Sequence, residues 1–456
     1  MLFSSFEFLY LFLPVTVALY FLSPSRARNY VLLVTSLVFY GFAAPKFLPL
    51  MIGVALIDWG FGLLVWRYTL YGKERVASAT VAVAVATNVA ILALFKYLDP
   101  TLALLGIGPV GIELPPGISF YIFQALSYVL DVKRQAARAQ KNPFIFVTYV
   151  SLFPQLVAGP IVRYCEVDEA LEGREHSVTS VADGLRLFSV GLAKKVLLAN
   201  GAGDMWERMK LLSGRGGTTL GAWLGVLFFA FQIYFDFSGY SDMAKGLGRV
   251  FGFEFPDNFR YPYISKSITE FWRRWHVTLS SWFREYVYIP LGGNRRGRAR
   301  TYLNLLVVWT LTGIWHGASV NFLLWGLYFF VLLTLEKMFL GRLVDKLPSV
   351  FGHAYALFFI LIGWLIFAAD GIGDVGAYAL QMMGIGSELF NNDALYELSR
   401  SIVFIAILAI GSTPVPSRLL GGAARWLKNA WALVLLALST CYLADAGYNP
   451  FLYFRF

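Results

Sequence analysis

Apolar windows recur along the whole chain, near residues 6–22, 29–43, 47–66, 76–98, 116–130, 181–199, 219–240, 301–316, 318–341, 351–369, 401–413 and 429–446. Most are about 15–24 residues long, the length of helix that crosses a hydrocarbon core about 30 Å thick. With 58% hydrophobic and 14% charged residues, the chain has too little polar surface to cover a water-soluble globule of 456 residues. The expected fold class is an all-α polytopic integral membrane protein with about 11–13 transmembrane or re-entrant helices. The window at 143–161 carries Pro154, Gly159 and Pro160, which suits a broken or re-entrant helix better than a clean crossing.

The formal charge of +10 reads as topology, not as nucleic-acid binding. Arg26 and Arg28, then Arg67, Lys73 and Arg75, then Lys133, Arg134, Arg138 and Lys141 fall on alternate connections, which the positive-inside rule puts in the cytoplasm. Counting from there, residues 241–300 are inside, the acidic 370–398 loop is outside, and twelve crossings leave both termini outside. Lys194 and Lys195, near an outer end, fit this poorly. The first apolar segment has no positive n-region and no small-residue cleavage site, so a retained span is expected. Cys165 and Cys441 are too few and too far apart for a disulfide framework or a thiolate metal site. No repeat, low-complexity tract or soluble segment interrupts the chain, so residues 1–456 are expected to form one membrane-embedded domain.

Two of the four histidines, His276 and His316, lie in a block from Asp257 to Ala318 that is dense in tryptophan and arginine. From Phe271 to Tyr286 the spacing predicts one helix, with Phe271, Trp272, Trp275, Leu279, Trp282, Phe283 and Tyr286 on one face and Arg273, Arg274, Ser280, Ser281, Arg284 and Glu285 on the other. Such a helix lies in a membrane interface. His276, at the edge of the aromatic arc, is either a working group or a ring snorkelling toward headgroups. The run LGGNRRGRAR (291–300) joins a glycine-rich turn to Arg295 and Arg296. It serves as a stop signal, or as a cradle of N–H groups and guanidinium forks for donor phosphates.

His316 sits inside an apolar region of roughly 40 residues, where ionisable groups face a cavity or a partner. A neutral ring bonded to a neighbouring helix is the plain alternative. Gly313 and Gly317 flank His316, and their missing side chains would let a thin substrate pass close to the ring. The chain has no GxSxG elbow, HExxH, paired cysteines or GxGxxG, so hydrolase, zinc and dinucleotide chemistry have no visible residues. An imidazole near neutral pKa suits a base that takes the proton of a hydroxyl attacking a thioester, with a second imidazole or polar group facing the oxyanion. Asp236, Ser238, Tyr240, Ser241 and Asp242 fall at the cytoplasmic end of a predicted span. There they either line a donor entrance or cap the next helix.

RYPYISKSITEFWRRWHVTLSSWFREYVYIPLGG followed by LTGIWHGASVNFLLWGLYF closely resembles the membrane-bound O-acyltransferase (MBOAT) superfamily. Within it, the chain looks most like the bacterial branch that O-acetylates polysaccharides such as alginate. The stretches PPGISFYIFQALSYVLDV, FPQLVAGPIVRY, FQIYFDFSGYSDMAKGLGRVFGF and YNPFLYFRF extend the likeness over essentially the whole chain. The resemblance implies a multi-helix bundle with a central funnel and tunnel, with His316 of the WHG triplet as the principal catalytic residue. His276 stands where many eukaryotic relatives carry asparagine, as a base or an orienting donor.

The resemblance also implies that Tyr453 is a temporary acyl carrier, against the plain reading of 448–456 as an aromatic belt. Donor- or substrate-binding candidates are Trp272, Trp275, Asp236, Ser238, Tyr240, Arg295, Arg296, Trp315 and Asn321. The expected acyl donor is acetyl-CoA, a co-substrate, with no permanently bound cofactor and no metal. The expected partners are membrane lipid, a periplasmic SGNH-type acetyltransferase and polysaccharide synthase components, in a bacterial inner membrane. The rival readings are a transporter or flippase with a histidine proton relay, and a non-catalytic scaffold.

Overall fold

The computed structural model describes residues 1–157, 159–214, 216–445 and 452. Regular structure among them is helical, with no strand. Among the described residues, seven helices are long and apolar enough to cross a membrane: Pro45–Leu70, Glu74–Leu104, Thr219–Val250, Val320–Val344, Ser349–Ala368, Asn392–Gly411 and Arg425–Asp445. Phe8–Leu22 is a shorter apolar helix that opens with a π turn. Only helices satisfy every backbone N–H and C=O within one segment, which is what a hydrocarbon solvent demands. Leucine, valine and phenylalanine side chains point outward from the peripheral helices, as at Val83, Val89 and Leu94 or Ile402, Val403 and Ile407. Water penalises such a surface and lipid does not.

The chain divides into two compact units. One comprises Met1–Phe188 with Tyr240–Pro256, and the other Ser189–Gly239 with Asp257–Phe456. In the first, helices Leu48–Leu70 and Ile118–Lys133 pack at Gly62, where an added Cβ would collide with the Tyr128 ring. Asn88 donates to buried Asp58 at 2.8 Å, tying helix Glu74–Leu104 to helix Leu48–Leu70. The 143–161 segment is broken as its prolines and glycine require. Helix Pro143–Ser151 stops at Leu152, whose backbone leaves the helical region, and a single turn, Phe153–Leu156, follows.

The second unit holds the histidine block. Helices Arg298–His316 and Val320–Leu335 form a hairpin in backbone contact. A Cβ on Gly313 would strike the Phe322 carbonyl, and one on Gly326 the Trp309 carbonyl. A Cβ on Gly317 would lie 2.6 Å from the Phe322 ring. The space that Gly313 and Gly317 vacate is therefore filled by the neighbouring helix and by Phe322, and it is not the substrate path expected from sequence. Small residues here let two apolar helices approach closely, the usual device where no hydrophobic drive separates helix from lipid.

Candidate functional site

The helix expected over Phe271–Tyr286 is two helices. The first, Ile268–Arg274, ends as Trp275 turns extended (φ −97°, ψ 130°). His276 follows in the left-handed region (φ 43°, ψ 54°), and the second helix, Val277–Phe283, begins there and runs into a π turn, Arg284–Tyr288. The break has partners that no helical period reveals. The Asn258 carbonyl accepts from Val277 N–H at 3.0 Å, and Arg260 N–H donates to the Arg274 carbonyl at 2.9 Å. The irregular segment holding Asn258 and Arg260 thus supplies partners for the Arg274 carbonyl and the Val277 N–H, which the break leaves without helical bonds.

The start of the first helix is held twice over. Ser267 accepts from Glu270 N–H at its start. Glu336, buried on the helix hairpin's second arm, accepts from Ile268 N–H at 2.7 Å, Thr269 N–H at 2.8 Å, the Thr269 hydroxyl at 2.6 Å and the Tyr355 hydroxyl at 3.1 Å. A carboxylate facing the exposed N–H groups of a helix start is favoured both as acceptor and by the helix dipole.

This clamp aims the aromatic side chains inward, not into an interface. Trp272 meets Trp309 at 4.7 Å, Phe329 at 4.9 Å and Trp325 at 5.5 Å in T-shaped contacts, and Trp275 packs on Trp364 at 4.7 Å. His276 is 2% exposed, so it does not snorkel. Its ring meets Phe237 edge-on at 4.7 Å and lies 6.2 Å from Trp315. Its Nδ1 is 3.0 Å from Asn258 Oδ1. Burial in these apolar surroundings pushes the imidazole down to about 3, so it is neutral at physiological pH.

His316 ends its helix and is also buried. Trp315 at 4.8 Å, Trp325 at 5.0 Å and Phe367 at 5.2 Å surround it. Trp315 therefore touches both imidazoles, and the two histidines, Trp272, Trp275 and Trp315 share one aromatic neighbourhood. Asn321, also buried, donates to the Ala369 carbonyl at 2.6 Å and pins the turn after His316. Arg295 and Arg296 lie on the turn before the helix that His316 ends. Eighteen helical steps, about 27 Å, separate Arg298 from His316, so these arginines and the rings cannot hold the same atoms.

Asp236 is placed differently from expectation. The helix Thr219–Val250 runs unbroken for 32 residues, so Asp236, Ser238, Tyr240, Ser241 and Asp242 neither end a span nor cap a following helix. Asp236 forms a buried ion pair with Lys195 at 2.7 Å and accepts from Leu452 N–H at 2.9 Å. Lys195, which fitted the charge rule poorly, is thus an interior counter-ion and not a topology signal. Ser238 is buried, and Tyr240 belongs to the other unit, stacked on Phe3 at 4.7 Å. Tyr453 lies outside the described residues.

Sequence reasoning passed over Asn258, Glu336 and Phe237. Glu336 did carry a signal, as an acidic residue within the apolar 318–341 window. Asn258 and Phe237 had none, because their roles arise from a backbone break and from contacts distant in sequence.

A helical chain with several bilayer-length apolar helices, and two of its four histidines sunk among indoles, is a multi-pass membrane protein organised around a buried polar site. The model of the MBOAT, membrane-bound O-acyltransferase family matches residues 64–369. A probable alginate O-acetylase of Pseudomonas putida is 38% identical over the full length of both chains. One from Pseudomonas aeruginosa is 40% identical over 82% of this chain and 73% of its own. A peptidoglycan O-acetyltransferase of Helicobacter pylori is 29% identical over all of this chain and 98% of its own. The chain belongs to the membrane-bound O-acyltransferase family, and it is an enzyme of acyl transfer.

Proposed function

We propose that this protein takes acetyl groups from cytoplasmic acetyl-CoA and passes them across a bacterial inner membrane for O-acetylation of an extracytoplasmic polysaccharide such as alginate. The observation that carries the chemical part is the pair of buried imidazoles, His276 and His316, both set against Trp315. Full-length similarity to enzymes named for alginate and peptidoglycan acetylation supports the substrate class.

In this reading His316 is the general base. Its ring takes the proton of the attacking hydroxyl as that oxygen bonds to the acetyl carbon. The carbon–sulfur bond then breaks, and the departing thiolate takes the proton back, leaving free coenzyme A and a neutral imidazole. Trp272, Trp275 and Trp315 exclude water and confine the acyl group. Arg295 and Arg296, a helix length away, suit the phosphate end of an extended donor. Tyr453 serves as the acyl relay, and a periplasmic SGNH-type acetyltransferase working beside a polysaccharide synthase receives the group.

Purified protein in liposomes with acetyl-labelled coenzyme A tests the proposal. The label should be transferred or hydrolysed by the natural chain and not by His316→Ala, with the two proteins melting alike. Undiminished turnover by that variant would refute the assignment of the base.

A further inference from the structure

Three donors converge on one atom beside His276. Thr278 N–H at 3.3 Å, the Thr278 hydroxyl at 2.9 Å and His276 Nδ1 at 3.0 Å all meet Asn258 Oδ1. A backbone N–H can only donate, so the Asn258 atom facing it is the amide oxygen and not the nitrogen. An amide oxygen can only accept. His276 Nδ1 must therefore carry a proton, and in a neutral imidazole that leaves Nε2 unprotonated, an acceptor.

The arrangement is held from several directions. Asn258 is 1% exposed, and its own carbonyl accepts from Val277 N–H at 3.0 Å, so main chain and side chain of one residue grip His276 and the two residues that follow it. The left-handed backbone at 276 presents the imidazole to that grip. Phe237, Phe259 and Trp315 pack against the ring, apolar neighbours that disfavour an imidazolium.

We infer that Asn258 is a positioning residue that fixes His276 as the Nδ1–H tautomer, so that His276 meets substrate only through Nε2, as an acceptor from a hydroxyl. This assigns His276 to the acyl-acceptor side of the reaction and takes it away from the oxyanion, which needs a donor. The assignment rests on the acyl-transfer function proposed above for its substrate half. The tautomer half stands on the hydrogen bonds alone.

Nitrogen NMR of the full-length protein in liposomes, labelled at histidine, reads the tautomer directly at neutral pH. His276→Asn identifies the resonance by its loss. The expected pattern is a pyrrole-type Nδ1 and a pyridine-type Nε2. The reverse pattern, or two protonated nitrogens, overturns the inference whether or not the protein transfers acetyl groups. In turnover, Asn258→Leu should lower kcat roughly 10- to 100-fold with little change in KM for acetyl-CoA. Asn258→Asp keeps an acceptor and should restore most of kcat. Its added charge should also move the acid limb of the pH profile upward. Equal kcat in the leucine variant, or an aspartate variant no better than leucine, also counts against the inference. A tautomer found as expected in a protein inert toward every acyl donor would sink the proposed function and leave the Asn258 assignment standing.

Discussion

The Lys195–Asp236 pair offers a quantitative test of the packing inside the second unit. Both side chains are nearly inaccessible, 3% and 4% exposed, at a separation of 2.7 Å. Replacing one partner strands the other as an uncompensated buried charge, which costs about 3–5 kcal/mol. Lys195→Met leaves the Asp236 carboxylate with the Leu452 N–H as a remaining donor, so its cost falls toward the lower end. Asp236→Leu takes the carboxylate away from the ammonium and also orphans that N–H, adding about 1.5–3 kcal/mol for a hydrogen bond to a charged group. Removing both charges together should cost far less than the sum, because an apolar pair of similar volume is tolerated where an ion pair was. Unfolding of the detergent-solubilised protein, followed by tryptophan fluorescence in a denaturant series, measures all four corners of the cycle. Single variants that each lose under about 1 kcal/mol, with a double variant equal to their sum, would refute the reasoning.

Three further outcomes are expected. Gly313→Ala drives a methyl into the Phe322 carbonyl and should destabilise the helix hairpin by about 1–3 kcal/mol, seen as a lower melting temperature; an unchanged value would mean that the hairpin opens freely. Glu336→Ala abandons two backbone donors and the Thr269 hydroxyl, while Glu336→Gln keeps an acceptor, so the alanine variant should melt lower and lose more turnover than the glutamine one. The third concerns pH. His276 stays neutral in the folded protein down to about 3, against an ordinary value of 6.5, so above 6.5 neither state binds the proton and stability is full. As pH falls below 6.5 the unfolded chain takes up a proton that the folded one refuses, and stability drops by up to roughly 1.4 kcal/mol per pH unit. His276→Asn should therefore show a shallower loss of melting temperature between pH 6.5 and 4.5, and parallel curves would refute a neutral His276.

Much of this architecture was legible because hydrocarbon imposes simple rules. Apolar length located the seven helices that, among the described residues, are long enough to cross a bilayer, and Pro154 with Gly159 marked a helix that had to break. The aromatic setting of His276 and His316 also read correctly as unusual. Two errors share one cause. Asp236 looked like a helix end because carboxylates usually seek water, yet Lys195, 41 positions earlier, supplies its counter-charge inside the protein. The 271–286 pattern looked like one helix because an amphipathic period cannot register a break whose lost hydrogen bonds are supplied by Asn258 and Arg260. Gly313 and Gly317 misled in the opposite sense, since absent side chains leave room that a sequence cannot show to be already occupied. For Asp236 and for the 271–286 break, the deciding partner is remote along the chain.

The backbone torsion at residue 276 filters which amino acids evolution can sample there. A β-carbon in the left-handed basin costs roughly 1–2 kcal/mol for most side chains, and asparagine, aspartate and histidine are the residues other than glycine that enter it most readily. The resemblance puts asparagine at this position in many eukaryotic relatives, and asparagine and histidine share little chemically beyond a nitrogen-bearing planar head. What they do share is admission to this corner of Ramachandran space. The swap between them is thus conformationally cheap, so a lineage can exchange an imidazole for an amide without rebuilding the turn that carries it.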